Sequence, residues 1–269
     1  MIIDSHVHIG ELGGFHMKPE HVIHSMEKYG VDYSLVSSGT AVEFDEQHGS
    51  LPEDWLYDQY SANLPTVEMA RQYDGRIGVA VWCKPHTEGV NARLLRLLDE
   101  GGAYIKALKI HPYHSMMPVN APQMQPYLRL AAERRIPVVV HSAGDEWSQP
   151  RYVYEAAKAF PDVTFVMVHM GLCTDNTQAI ELIGSLPNLY GDTTWVRPEA
   201  ALRLVKKYGA EKLLFGSDNP IDGEDTYAHP FYRTYFGAFK EWVTPEEYEL
   251  IMHGNAERLF GLSISEKST

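Results

Sequence analysis

"QMQPYLRLAAERRIPVVVHSA", residues 123–143, holds two periodicities and a polar end in one short stretch. From Gln123 to Arg135, Leu128, Ala131 and Ala132 fall at helical spacing, and from Pro137 to Ser142 a run of valines reads as a buried strand. The strand runs into His141, an imidazole that is costly in an apolar interior unless it finds a partner. A helix passing directly to a buried strand is one step of a strand–helix repeat, so the fold depends on how often the step recurs.

It recurs along the whole chain. Apolar runs at Ile2–Ile9, Tyr33–Ser38, Ile77–Trp82, Ala107–His111, Pro137–Ser142, Thr164–Met170, Leu189–Thr194 and Leu213–Gly216 predict eight strands, with helix-like segments between them. Pro198–Tyr208 predicts one such helix, since proline suits a first helical turn. Eight alternations predict an α/β fold, a (β/α)8 TIM barrel of one domain over residues 1–269, in the usual size range of about 250 residues for such barrels. No Gly-x-Gly-x-x-Gly follows a strand, which argues against a doubly wound nucleotide-binding sheet. Two connections are long: residues 39–76, with Phe44, Trp55, Tyr57 and Tyr60, and residues 219–245 after the last strand. Such connections inside a compact domain are usually functional.

Composition narrows the function. Lys and Arg total 23 against 36 Asp and Glu, a formal charge of -13, and no basic stripe exists to neutralise phosphates. Neither nucleic acid nor an anionic membrane is an expected partner. No basic segment precedes an apolar run at the N-terminus and no apolar run reaches membrane length, so a cytoplasmic protein is expected. Cys83 and Cys173 form no disulfide framework and read as small buried hydrophobes.

The polar residues fall at strand ends. His6 and His8 lie on the first strand, Lys109 and His111 on the fourth, His141 on the fifth, His169 on the sixth, and Asp218 follows the eighth. Residues two apart on a strand share a face about 6.5–7 Å apart, so His6 and His8 project together. Each imidazole taken alone could be an ordinary buried histidine bonded to a carbonyl. Together they occupy the C-terminal strand ends, the face that carries catalysis in TIM barrels. Imidazole with carboxylate is a ligand set for zinc and similar divalent ions, with a position left open for water or substrate. Asp218 or His169 would then move the proton.

"DSHVHIG", "ALKIHP", "VVVHSAG", "FVMVHMG", "LLFGSDNP" and "GNAERLFGL", in this order, resemble the amidohydrolase superfamily in its amidohydrolase-2 branch, which includes aminocarboxymuconate-semialdehyde decarboxylase. The resemblance implies His6, His8, His141 and Asp218 as metal ligands. It implies His169 beside the ion's water or on a second ion, and Asp218 as the group that touches both metal and substrate proton. Lys109 stands open between a carboxylated bridge to a second metal and a lysine paired with an inward acid or with a substrate carboxylate. One zinc-like ion is expected, with two as the alternative. Asn255–Phe260 matches a structural segment, and Asp4 reads as a supporting acid.

Substrate contacts are expected from His111, Arg197 and Trp195, the arginine being suited to grip a carboxylate. Trp82 and Trp147 could wall a flat pocket or pack in the core. The favoured reading is a metal-dependent hydrolase acting with activated water on an amide, lactone or ester of a small carboxylate-bearing molecule. The alternative is a metal-dependent decarboxylase of a small carboxylated aromatic or enol-like substrate. A phosphoesterase or nuclease is disfavoured by Lys109 and by the acidic charge, and a non-catalytic scaffold by the intact ligand set. In "HPFYRTYFGAFKEW", residues 229–242, aromatic residues at roughly helical spacing read as a core-facing helix or, alternatively, as a dimer contact of a homo-oligomer or a pocket lid.

Overall fold

The computed structural model describes residues 1–12, 14–45, 49–51, 56–221, 223 and 225–264. The strands are β1 (Ile3–Leu12), β2 (Phe15–Met17), β3 (Tyr33–Ser38), β4 (Phe44–Asp45), β5 (Gly49–Ser50), β6 (Ile77–Trp82), β7 (Ile105–Ile110), β8 (Val138–Ala143), β9 (Phe165–Leu172), β10 (Leu189–Asp192) and β11 (Leu213–Leu214). β1, β3, β6, β7, β8, β9, β10 and β11 pair in parallel in that order, while β2 folds back antiparallel onto β1. The ring closes where the chain after β11 meets β1. Ser5 N donates to Phe215 O (2.9 Å), Asp218 N to His6 O (2.8 Å) and His8 N to Asn219 O (2.9 Å). These eight parallel strands are the eight that the sequence predicts, in a TIM barrel.

Helices follow the strands at Pro19–Tyr29, Gln59–Gln72, Ala92–Gly101, Gln125–Arg134, Pro150–Ala159, Thr177–Ser185 and Pro198–Tyr208. Their starts are chemically marked. Pro19, Pro150 and Pro198 lie in first turns, and the Asn91 side chain accepts from the amides of Arg93 and Leu94. The connection over 39–76 is no bare loop, since it holds the helix Gln59–Gln72, and Trp55 lies outside the described residues. In residues 229–242 the helix Pro230–Phe236 turns Tyr232 and Tyr235 inward, followed by buried Phe239, which is the core-facing reading.

The core has two layers. Leu108, Ile110, Val138, Val140, Phe165 and Met167 face the helices. The residues between them, Ala107, Val139, Val166 and Val168, fill the barrel with Ile3, Leu35 and Leu214, and Ala256 and Phe260 pack against that inner layer. Asn255 supports the segment by donating to Ala210 O and Leu213 O, both at 2.8 Å, in keeping with the structural role expected of it. Farther along the same inward faces, Ala107 is followed by Lys109 and Val139 by His141, so the interior changes from apolar to polar toward the strand ends.

Candidate metal centre

Two local breaks in strand alternation aim the histidines. Ile3 belongs to the barrel interior, so strict alternation from it would send His6 and His8 outward, yet Val7 and Ile9 lie in the outer layer. The β1/β3 register shifts between Asp4 and Val7, and this bulge-like irregularity turns both imidazoles into the barrel. In β9, Val168 faces inward, yet His169 does so too, because its backbone adopts φ 66, in the left-handed region. Asp192 holds that turn by accepting from His169 N (2.9 Å) through Oδ1.

At the centre stands the Asp218 carboxylate. Its Oδ1 lies 2.9 Å from His6 Nε2 and 3.0 Å from His8 Nε2, and its Oδ2 lies 4.0 Å from His169 Nε2. His6 Nε2 and His8 Nε2 are 3.1 Å apart. Donor atoms of His6, His169 and Asp218 all lie within 4.8 Å of one another, a spacing that can hold a metal ion. The far ring nitrogens of His169 and His8 are occupied. His169 Nδ1 donates to Thr194 O (3.1 Å), and His8 Nδ1 meets Ser37 Oγ (2.9 Å), which leaves each Nε2 to face the centre.

Electrostatics agree with a cation site. Burial, then the charge of Lys109, holds His6 well below the usual imidazole range, and burial brings His169 down to about 4. Burial pushes the Asp218 carboxyl up, but His169, His6 and His8 outweigh it and keep it well below the usual carboxylate range. Neutral imidazoles and an ionised carboxylate are the states that ligate a divalent ion, so the residues fit the metal that the motif implies. Lys109 Nζ reaches to 3.2 Å from His6 Nε2, and burial lowers it to about 8. Asp4 lies beneath, accepting from His6 N (3.0 Å) through Oδ1 and from Tyr227 OH (2.7 Å) through Oδ2.

His141 stands one ring away from this convergence. It is edge-on to His169 at 4.7 Å between ring centroids and stacked on His111 at 3.9 Å, and His111 stacks in turn on Trp82 at 5.1 Å. His114 Nδ1 donates to Phe44 O (2.8 Å), tying this wall to β4. The site forms the floor of a cavity of about 820 Å³, with Phe15, Trp82, Tyr113, Trp195 and Ile221 among its walls.

Arg197, Trp195 and the two cysteines stand in different surroundings. Arg197 is exposed at the start of the helix Pro198–Tyr208, 5.8 Å from the Phe231 ring centre, and is not among the cavity's lining residues. Cys173 is exposed and lines the cavity, whereas Cys83 is buried as expected. Trp195 does line the cavity, but its indole N–H is spent on Asp218 Oδ2, at 3.0 Å. Sequence reasoning missed Ser37, Asp192, Thr194 and Tyr232. Only "GDTTW", polar residues ending a strand, hinted at any of them.

No curated protein matches the chain in sequence. Solved structures match its fold. A probable 2-pyrone-4,6-dicarboxylic acid hydrolase from Acinetobacter baumannii, with citric acid bound, is 17% identical, covering 97% of this chain and 99% of its own, with a TM-score of 0.67. A 5-carboxyvanillate decarboxylase from Novosphingobium aromaticivorans with bound manganese is 12% identical, covering 97% of each chain, with a TM-score of 0.74. A 5-carboxyvanillate decarboxylase from Sphingomonas paucimobilis is 13% identical, covering 97% of this chain and 99% of its own, with a TM-score of 0.68. The amidohydrolase model of the amidohydrolase-2 branch matches residues 3–262, nearly the whole length, and the chain belongs to that family.

Proposed function

We propose that this chain is a metal-dependent hydrolase that opens an amide, lactone or ester bond in a small, flat molecule bearing one carboxylate. The observation that carries the reading is the Asp218 carboxylate, gathered between His6 and His8 on one oxygen and Trp195 on the other, at the floor of a cavity wide enough for substrate and water. His6, His8, His141 and Asp218 would hold the ion, most simply one zinc or a similar divalent metal, and His169 and Lys109 would serve a second. The ion supplies Lewis-acid polarisation of an oxygen. Asp218 takes the proton of the attacking water and passes it to the leaving group, and His169 Nε2 is the imidazole beside it.

Cavity chemistry narrows the substrate. The described lining residues include no arginine or lysine, so Lys109, with its Nζ 3.2 Å from His6 Nε2, is the cationic side chain at hand for a substrate carboxylate, and a second carboxylate would lack such a partner. His111 and His114 supply ring nitrogens near the floor, and Trp82 and Trp195 offer flat apolar walls. The same walls favour a second reading, decarboxylation of a carboxylated aromatic, the kind of substrate named for the two decarboxylases of similar fold. The two separate by product. Metal-replete protein is incubated with a panel of monocarboxylated aryl lactones, amides and esters and, separately, with carboxylated phenols, following acid release in the first set and carbon dioxide in the second. Acid release is expected; turnover confined to the carboxylated phenols would replace hydrolysis with decarboxylation, and activity on neither set would overturn both.

A further inference from the structure

We infer that Trp195 is a positioning residue: its indole N–H fixes the carboxylate of Asp218 with Oδ1 turned to His6 and His8, so the tryptophan sets metal affinity as well as walling the cavity. The bond from Trp195 Nε1 to Asp218 Oδ2 is 3.0 Å, on the oxygen opposite the two histidines. An aspartate has two equivalent oxygens and a soft terminal torsion, and a donor committed to one of them selects the orientation in which the other faces the ligand pair.

The surrounding structure is built to hold this donor in place. Trp195 has φ 54 and Asp218 has φ 69, both left-handed, an uncommon conformation for a bulky residue that persists only where neighbours impose it. One hydroxyl joins the two turns. Tyr232 OH accepts from Trp195 N at 3.0 Å and donates to Ser217 O at 2.6 Å, linking the chain after β10 to the residue preceding Asp218. Tyr232 is fully buried, so this link is shielded from water. A tryptophan that served only as a wall would need neither the N–H directed at Asp218 nor the clamp on its own amide.

The inference rests on the metal reading of the site, and the test separates the two. Indole N–H resonances are recorded on protein labelled with nitrogen-15, which has five tryptophans. Trp195→Phe identifies its signal by loss, and Asp218→Ala should then shift that same signal with or without metal. Zn2+ and Mn2+ affinities are measured by competition with a chromophoric chelator. Trp195→Phe should weaken binding by about 10- to 100-fold, the usual effect of losing a group that orients a ligand. Tyr232→Phe, which keeps both Trp195 and Asp218, should weaken it in the same direction, and it preserves the test if the first variant fails to fold. An indole signal indifferent to Asp218→Ala, or wild-type metal affinity in folded Trp195→Phe, would overturn the inference. If the wild-type protein takes up neither ion, the metal reading falls, and the indole signal alone decides whether Trp195 anchors Asp218.

Discussion

Asp218 is the residue on which the chemistry turns, because two imidazoles and an indole act on one carboxylate in a water-poor floor. Asp218→Asn keeps the shape but removes the charge and the capacity to take a proton. Turnover should fall by about 10²- to 10⁴-fold, the span a positioned acid or base contributes, with the far-ultraviolet dichroism unchanged. Activity within a few-fold of wild type would exclude Asp218 from proton transfer. His6→Ala should act differently, by removing an imidazole from the convergence. Metal content measured on the purified variant should drop, and undiminished content would exclude His6 from the ligand set.

Elements explain what the sequence could disclose. The eight barrel strands were legible because each is buried on both faces and reads as a short apolar run, and the strand-end histidines stood out against those runs. Side-chain direction was less legible. From Ala107 on β7 and Val139 on β8 alternation is regular, so Lys109 and His141 follow from them. On β1 and β9 it breaks, at a register shift and at a left-handed residue, and a one-dimensional pattern carries no mark of either. Arg197 was hard to place for a related reason, since a helix start after a strand can face outward as readily as inward, and here the side chain is exposed. The closing element is the most constrained. A Cβ on Gly216, just past β11, would lie 2.6 Å from Thr194 Oγ1 and 2.9 Å from Asp192 Oδ2, the pair that holds His169. Gly216→Ala should therefore cost about 1–3 kcal/mol through overpacking and lower metal affinity as well, read from denaturant midpoint and chelator competition. A variant as stable and as tight as wild type would mean that Asp192 and Thr194 can yield without disturbing the site.

At the scale of the molecule, the proposed site joins the two ends of the chain's path around the barrel, since His6 and His8 come from the first strand and Asp218 from the segment that closes on it. An ion that bridges them binds only the closed ring, so binding must add to stability. At 100 times its dissociation constant, a ligand specific for the folded state contributes about 2.7 kcal/mol. For a chain of this size, about 2–4 °C per kcal/mol puts the expected rise in Tm at roughly 5–10 °C. His6→Ala should abolish that rise. Phe260→Ala, which opens the packing against the inner layer of the core, should lower stability by about 3–5 kcal/mol yet keep the metal-induced rise, because Phe260 belongs to the apolar layer and not to the polar floor. Equal loss of the rise in both variants would mean that metal responds to barrel integrity in general, and that the convergence of His6, His8 and Asp218 is not where the ion binds.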